Sequence, residues 1–158
     1  MSTTPAAPPP GARLYHGGIP DLRPGDLIEP HPPAVIDGCA ICEARAAGRD
    51  PEVPGLGVVD PATRHPDRVY VTSDREYGRF HASKVWLGDL YQVEPIGGLV
   101  LSTEDHWPSW TCKAASVVSV VSRAVRLTDR QRRTLLNKWE RHDEAAALAQ
   151  LAGGRQAG

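Results

Sequence analysis

The sequence predicts an α+β fold built on antiparallel β-sheet, with few helices and a helix at the C-terminus. Three observations predict it. Short β-rich segments follow one another with no crossover helix between most of them. Helical spacing is confined to a few stretches, the longest at the C-terminus. The chain has fifteen glycines and fifteen prolines, most of them in the first half, which favours loops and short strands there.

The elements follow in order. Met1 to Gly11 has no basic start and no apolar run, so residues 1–12 are expected to form a disordered Pro-rich tail rather than a secretory signal. Arg13-Leu14-Tyr15-His16 is a short strand ended by Gly17-Gly18. Asp26-Leu27-Ile28-Glu29 is a second extended piece, followed by a His31-Pro32-Pro33 loop. Residues 39–47 have helical composition and stop at Gly48. Residues 49–67 read as one long loop. Arg68-Val69-Tyr70-Val71-Thr72 is a strand, because β-branched residues flank the tyrosine. Ser73-Asp74-Arg75-Glu76 forms a capping box that starts a helix over 74–84.

Asp89 to Glu94 is the next strand, stopped by Pro95, and Gly98 to Ser102 is a further one. Trp110 to Cys112 extend briefly. Ala115 to Leu127 form a long strand with room for a bulge. Thr128-Asp129 cap a terminal helix over 129–152, with 153–158 as a tail. One domain over 13–128 carries the body, and a chain of 158 residues suits that size.

Composition narrows the function classes. A formal charge of −1 argues against a general nucleic-acid binder. No apolar run has membrane-spanning length. Three cysteines fit no extracellular disulfide framework, so a cytoplasmic protein is expected. Cys39-Ala40-Ile41-Cys42 has the spacing of half a structural zinc site, with His31, His65 or Cys112 needed to complete it. The reading adopted has no metal and two reduced cysteines on a small helix. Seven basic residues between Arg123 and Arg141 face an acidic partner, RNA or simply solvent.

Single residues carry little chemistry alone. His16 ends a strand beside two glycines and reads as a turn histidine or as a cleft ligand. Tyr70 reads as core or as a ring-stacking residue. Tyr77, one turn into the following helix, either packs helix on sheet or joins Tyr70 in clamping a flat ring.

Taken in order, Leu14-Tyr15-His16-Gly17-Gly18, Leu22-Arg23-Pro24-Gly25-Asp26-Leu27-Ile28-Glu29-Pro30, Val69-Tyr70-Val71-Thr72 and Val93-Glu94-Pro95-Ile96-Gly97 resemble the ADP-ribosyltransferase superfamily. They are most similar to its small bacterial rifamycin ADP-ribosyltransferases, over roughly residues 13–127. The family opens on a Leu/Phe-His-Gly-Thr strand. The resemblance implies two packed antiparallel sheets and an NAD-dependent mono-ADP-ribosyltransferase that releases nicotinamide. His16 would hold the NAD ribose, Tyr70 would stack on nicotinamide and the Gly17 backbone would bond the carboxamide. Tyr15, Thr72 and Tyr77 join them as the implied NAD contacts. The acid of the His-Tyr-acid triad departs from the pattern. The family position falls near Ser102, and Glu104 is preferred over Asp105, with Glu94 as the fallback. Ser109-Trp110-Thr111-Cys112 matches a Ser-aromatic-x-Ser element in the same family, which places Ser109 or Trp110 at the cleft. The implied acceptor is a small molecule, a protein or a nucleic acid. Two other readings stand beside it. A tRNA 2′-phosphotransferase-like enzyme shares the opening motif but has His where Tyr70 stands. The other is a non-enzymatic binding module stabilised by zinc.

Overall fold

The computed structural model describes residues 6–31, 35, 37–55, 57–58, 63–85, 87–105 and 107–155. Twelve elements follow one another: β1 (Leu14–Gly18), β2 (Leu27–Ile28), α1 (Ala40–Ala46), β3 (Glu52–Val53), β4 (Gly57–Val58), β5 (Val69–Thr72), α2 (Arg75–Lys84), β6 (Asp89–Ile96), β7 (Val100–Leu101), β8 (Ser109–Cys112), β9 (Ala114–Ser122) and α3 (Asp129–Arg155). The class is α+β with a C-terminal helix, as the sequence predicts. The sheet arrangement differs. One antiparallel sheet of seven strands, ordered β2-β9-β6-β1-β5-β8-β7, stands where two packed sheets were expected. A separate ribbon, β3-β4, lies inside the stretch read as a long loop. Its turn contains Pro54 and a left-handed Gly55, at φ 83°.

β1 makes one sheet out of two halves. It pairs along its whole length with β6, from Leu14 opposite Val93 to Gly18 opposite Asp89. With β5 it shares a single register pair, Tyr15 opposite Thr72. One face of both halves supplies a single core cluster that includes Leu14, Val69, Val71, Tyr91, Val93 and Trp110. No helical residue belongs to that cluster, so the two halves cover each other. Of the expected N-terminal tail, residues 1–5 lie outside the described set. The Ala6 carbonyl accepts a hydrogen bond from buried Trp110 Nε1 at 3.2 Å.

The opposite face carries α2. Glycines make the approach possible: a Cβ on Gly17 would fall on the Gly78 carbonyl and the Ala82 amide of the helix. Tyr77 and Phe80, on the far side of α2, pack against Trp139 of α3. Sheet, α2 and α3 thus stack in order.

Several boundaries move for identifiable reasons. The cap of α2 is Asp74, one residue later than the expected Ser73. The Asp74 carboxylate accepts the Tyr77 N–H at 2.9 Å, and the Thr72 hydroxyl accepts the Asp74 N–H at 3.1 Å. β6 runs through Pro95 to Ile96; beyond Val93 only β9 lies beside it, so the missing N–H can fall on the open side. Register shifts occur between Leu90 and Tyr91 and between Gln92 and Val93, which locates the expected irregularity in the β6–β9 pair. β9 stops at Ser122, well before Leu127. Ala124 takes a left-handed φ of 44°, and its N–H donates to Asp89 at 2.7 Å. α3 continues through Gly153 and Gly154 to Arg155. Among the described residues no helix is long and apolar enough to cross a membrane.

Candidate functional site

The sheet opens where β1 and β5 stop pairing, and His16 sits at that opening. Its Nδ1 lies 2.8 Å from the Tyr70 carbonyl, so Nδ1–H donates and Nε2 remains an acceptor. Burial pushes the His16 pKa below its ordinary value and outweighs the Tyr70 hydrogen bond, with His31 adding to the shift. The ring is therefore neutral at pH 7. A Cβ on Gly18 would come within 2.6 Å of His16 Nε2. The threonine of the Leu/Phe-His-Gly-Thr pattern would displace this ring, and glycine accommodates it.

Tyr70 alternates with Val69 and Val71, whose side chains enter the core. Its hydroxyl accepts the His65 N–H at 3.1 Å and lies near the Glu104 carboxylate. Burial, then Glu104 and Asp105, hold the Tyr70 phenol well above its usual range against the opposing His65 amide. It is thus a permanent O–H donor. The Arg64 N–H reaches Glu104 at 3.3 Å from the other side.

The three acids occupy different surroundings. Glu104 stands beside Tyr70. Asp105 is a packing hub: it accepts the hydroxyls of Tyr77 at 2.5 Å, Ser102 at 2.6 Å and Ser109 at 2.5 Å. Glu94 is exposed on β6, opposite Ser116, in the half of the sheet that does not contain β5.

The remaining expected contacts lie mostly in the fabric. The Thr72 hydroxyl is buried, donating to the Pro108 carbonyl at 2.9 Å while accepting from Asp74. Tyr77 is buried, with ring centroids 4.5 Å from His81 and 5.1 Å from Trp139 in edge contacts. Tyr15 is half-buried against the cluster under α2, and Gly17 is closed against α2 on its Cβ side. Ser109 and Trp110 are buried as well, Ser109 on Asp105 and Trp110 in the main core.

Among the described residues no three His, Cys, Asp or Glu side chains gather as a metal site. Cys39 instead caps α1, its sulfur accepting the Cys42 N–H at 3.4 Å. That amide and the Cys42 thiol lower the Cys39 pKa.

Sequence reasoning missed two polar nodes. Asp74 accepts Trp107 Nε1–H at 2.5 Å, tying the loop after Glu104 to the start of α2. Asp89, 1 % exposed, collects Arg123 at 2.6 Å, the amides of Asp21 and Ala124, and the Tyr91 hydroxyl. Both join residues more than thirty apart in the chain, so no local pattern announces them.

No known family model matches this chain, and none of the functionally characterised proteins it was compared with matches it.

Proposed function

We propose that this chain is an NAD-dependent mono-ADP-ribosyltransferase with His16, Tyr70 and Glu104 as its working residues. The observation that supports the reading is the double engagement of Tyr70: the His16 ring bonds its backbone carbonyl, and Glu104 lies near its phenol. Tyr70 links residues distant in sequence, His16 at its backbone carbonyl and Glu104 near its phenol, and each has a chemical use.

NAD is the substrate. The glycosidic bond to nicotinamide breaks as positive charge develops on the ribose; nicotinamide leaves with the bonding pair, and a nucleophile of the acceptor forms the new bond at the ribose C1 and releases its proton to water. Glu104 supplies the negative charge that stabilises it. Neutral His16 offers Nε2 as acceptor to a ribose hydroxyl, and the Tyr70 ring stacks on nicotinamide. Positioning and electrostatics then carry the rate, with no covalent enzyme step required. A cytoplasmic setting belongs to the same reading, since it supplies NAD and keeps the cysteines reduced.

Nicotinamide release from labelled NAD tests the proposal. His16→Ala, Tyr70→Ala and Glu104→Gln are each expected to lower turnover by about 100-fold or more, the scale of losing one preorganised electrostatic contact. Glu94→Gln is expected to keep it. Turnover indifferent to His16→Ala and Tyr70→Ala would overturn the reading. Release of phosphate from a 2′-phosphorylated RNA with no nicotinamide release would replace it with the phosphotransferase alternative.

A further inference from the structure

A groove runs between the loop after Glu104 and α3. Trp107 forms one wall, and Thr134, Asn137, Lys138, Arg141 and His142 form the other. These five positions follow helical spacing and so share one face of α3. The groove has a volume of about 510 Å³, room for a nucleotide-sized group.

Its chemistry is one-sided. Lys138 and Arg141 bring positive charge, and no lining residue is acidic. Neither cation has a carboxylate partner among the described residues; the acids that touch lining residues are Asp143, 4.0 Å from His142, and Asp74, which takes the Trp107 indole N–H. The wall is also aromatic. Trp107 lies 4.8 Å from the His142 ring, with Lys138 Nζ 5.4 Å from the indole centroid. The indole is held in place by its bond to Asp74. A second groove along α3 meets the first at Thr134 and adds Arg79 and Arg130; its one acid, Glu76, pairs with Arg79 at 3.5 Å.

We propose that this groove docks single-stranded nucleic acid. Cations spaced along a helix beside a fixed aromatic platform match a phosphate backbone with stackable bases. An acidic peptide would use the charges and leave the platform idle. The chain's overall charge of −1 is no obstacle, because the local balance counts: the two grooves present Lys138, Arg141, Arg79 and Arg130 against one acid, Glu76. The proposal names the partner class that the transferase reading leaves open, yet it stands on different residues.

Fluorescence anisotropy of a labelled twelve-nucleotide oligothymidylate tests it on the full chain. Binding is expected to weaken with salt. The double variant Lys138→Glu/Arg141→Glu is expected to bind about tenfold or more weakly, with the log–log salt slope shallower by about 1.4, two single-strand phosphate contacts. Arg133→Glu, an exposed charge on α3 that lines neither groove, is expected to have a smaller effect. Equal losses for Arg133→Glu would reduce the effect to net charge and overturn the site. So would absence of binding at low salt, or displacement by a glutamate-rich peptide at concentrations no higher than an unlabelled oligonucleotide needs. Circular dichroism melts of each variant confirm that the comparison is between folded chains. Nicotinamide release measured separately distinguishes the two readings: binding without NAD turnover sinks the transferase and leaves the groove standing.

Discussion

At the residue scale, His16 and Asp89 set the response to acid. Burial lowers the His16 pKa, so the unfolded chain binds more protons than the folded one below its ordinary value of about 6.5. Stability is expected to fall as pH drops from there to the folded pKa, then level off for this group. Asp89 acts lower. Burial opposes its charge, but Arg123 and two backbone amides outweigh burial and hold the carboxyl below its ordinary value. Its contribution is full above about pH 4 and is lost as pH falls through the depressed pKa. Asp89→Asn is expected to cost about 1–3 kcal/mol at pH 7, as for leaving buried hydrogen-bonding groups unpaired. It should also flatten the acid limb of a urea-midpoint profile. An unchanged limb would assign the acid response to other carboxylates.

Gly17 and Gly18 look like an undifferentiated pair, yet they do opposite jobs. Gly17 admits α2, and Gly18 admits the His16 ring. Gly17→Ala is expected to destabilise by about 1–3 kcal/mol through overpacking against helix backbone. Gly18→Ala should instead move the His16 imidazole, read as a shift of its ring resonances in NMR with a smaller change in stability. If both variants lost stability equally and left the His16 resonances in place, this division of roles would fail.

At the element scale, the caps were partly legible. Thr128 and Gln131 make a reciprocal box, the hydroxyl accepting the Gln131 N–H at 3.1 Å and the Gln131 side chain accepting the Thr128 N–H at 2.8 Å. Thr128→Ala is expected to cost about 1 kcal/mol in denaturant unfolding. At α2 the same kind of pattern pointed one residue early. Ser73 and Asp74 both qualify as caps by type. The Thr72 hydroxyl decided between them by taking the Asp74 amide. β6 passes through Pro95 for a related reason: a proline's effect depends on what lies beside the strand, which the strand's own sequence does not contain.

At the scale of the whole molecule, α3 is a structural layer as well as a binding wall. Trp139 is 3 % exposed, with Tyr77 5.1 Å and Phe80 5.0 Å away in edge contacts. Trp139→Ala is expected to cost about 3–5 kcal/mol and to loosen Tyr77. Because Tyr77 bonds Asp105, next to Glu104, the proposed transferase function implies that NAD turnover falls beyond what unfolding alone explains. A melt showing loss of stability with turnover per folded molecule unchanged would separate α3 from the candidate site.

The sequence by itself determined the class, most strand and helix positions, and the short list of chemical residues. Those are local matters of hydrophobic period, β-branching and turn chemistry. Tertiary structure decided the rest. Joining the halves of the sheet through β1, setting Glu104 near the Tyr70 phenol and Asp105 on the Tyr77 hydroxyl, and burying Tyr77 under Trp139 all depend on contacts between segments far apart in the chain. Two neighbouring acids in one loop have the same local pattern. Only the packed molecule places one on three hydroxyls and leaves the other with the Arg64 amide, near the Tyr70 phenol.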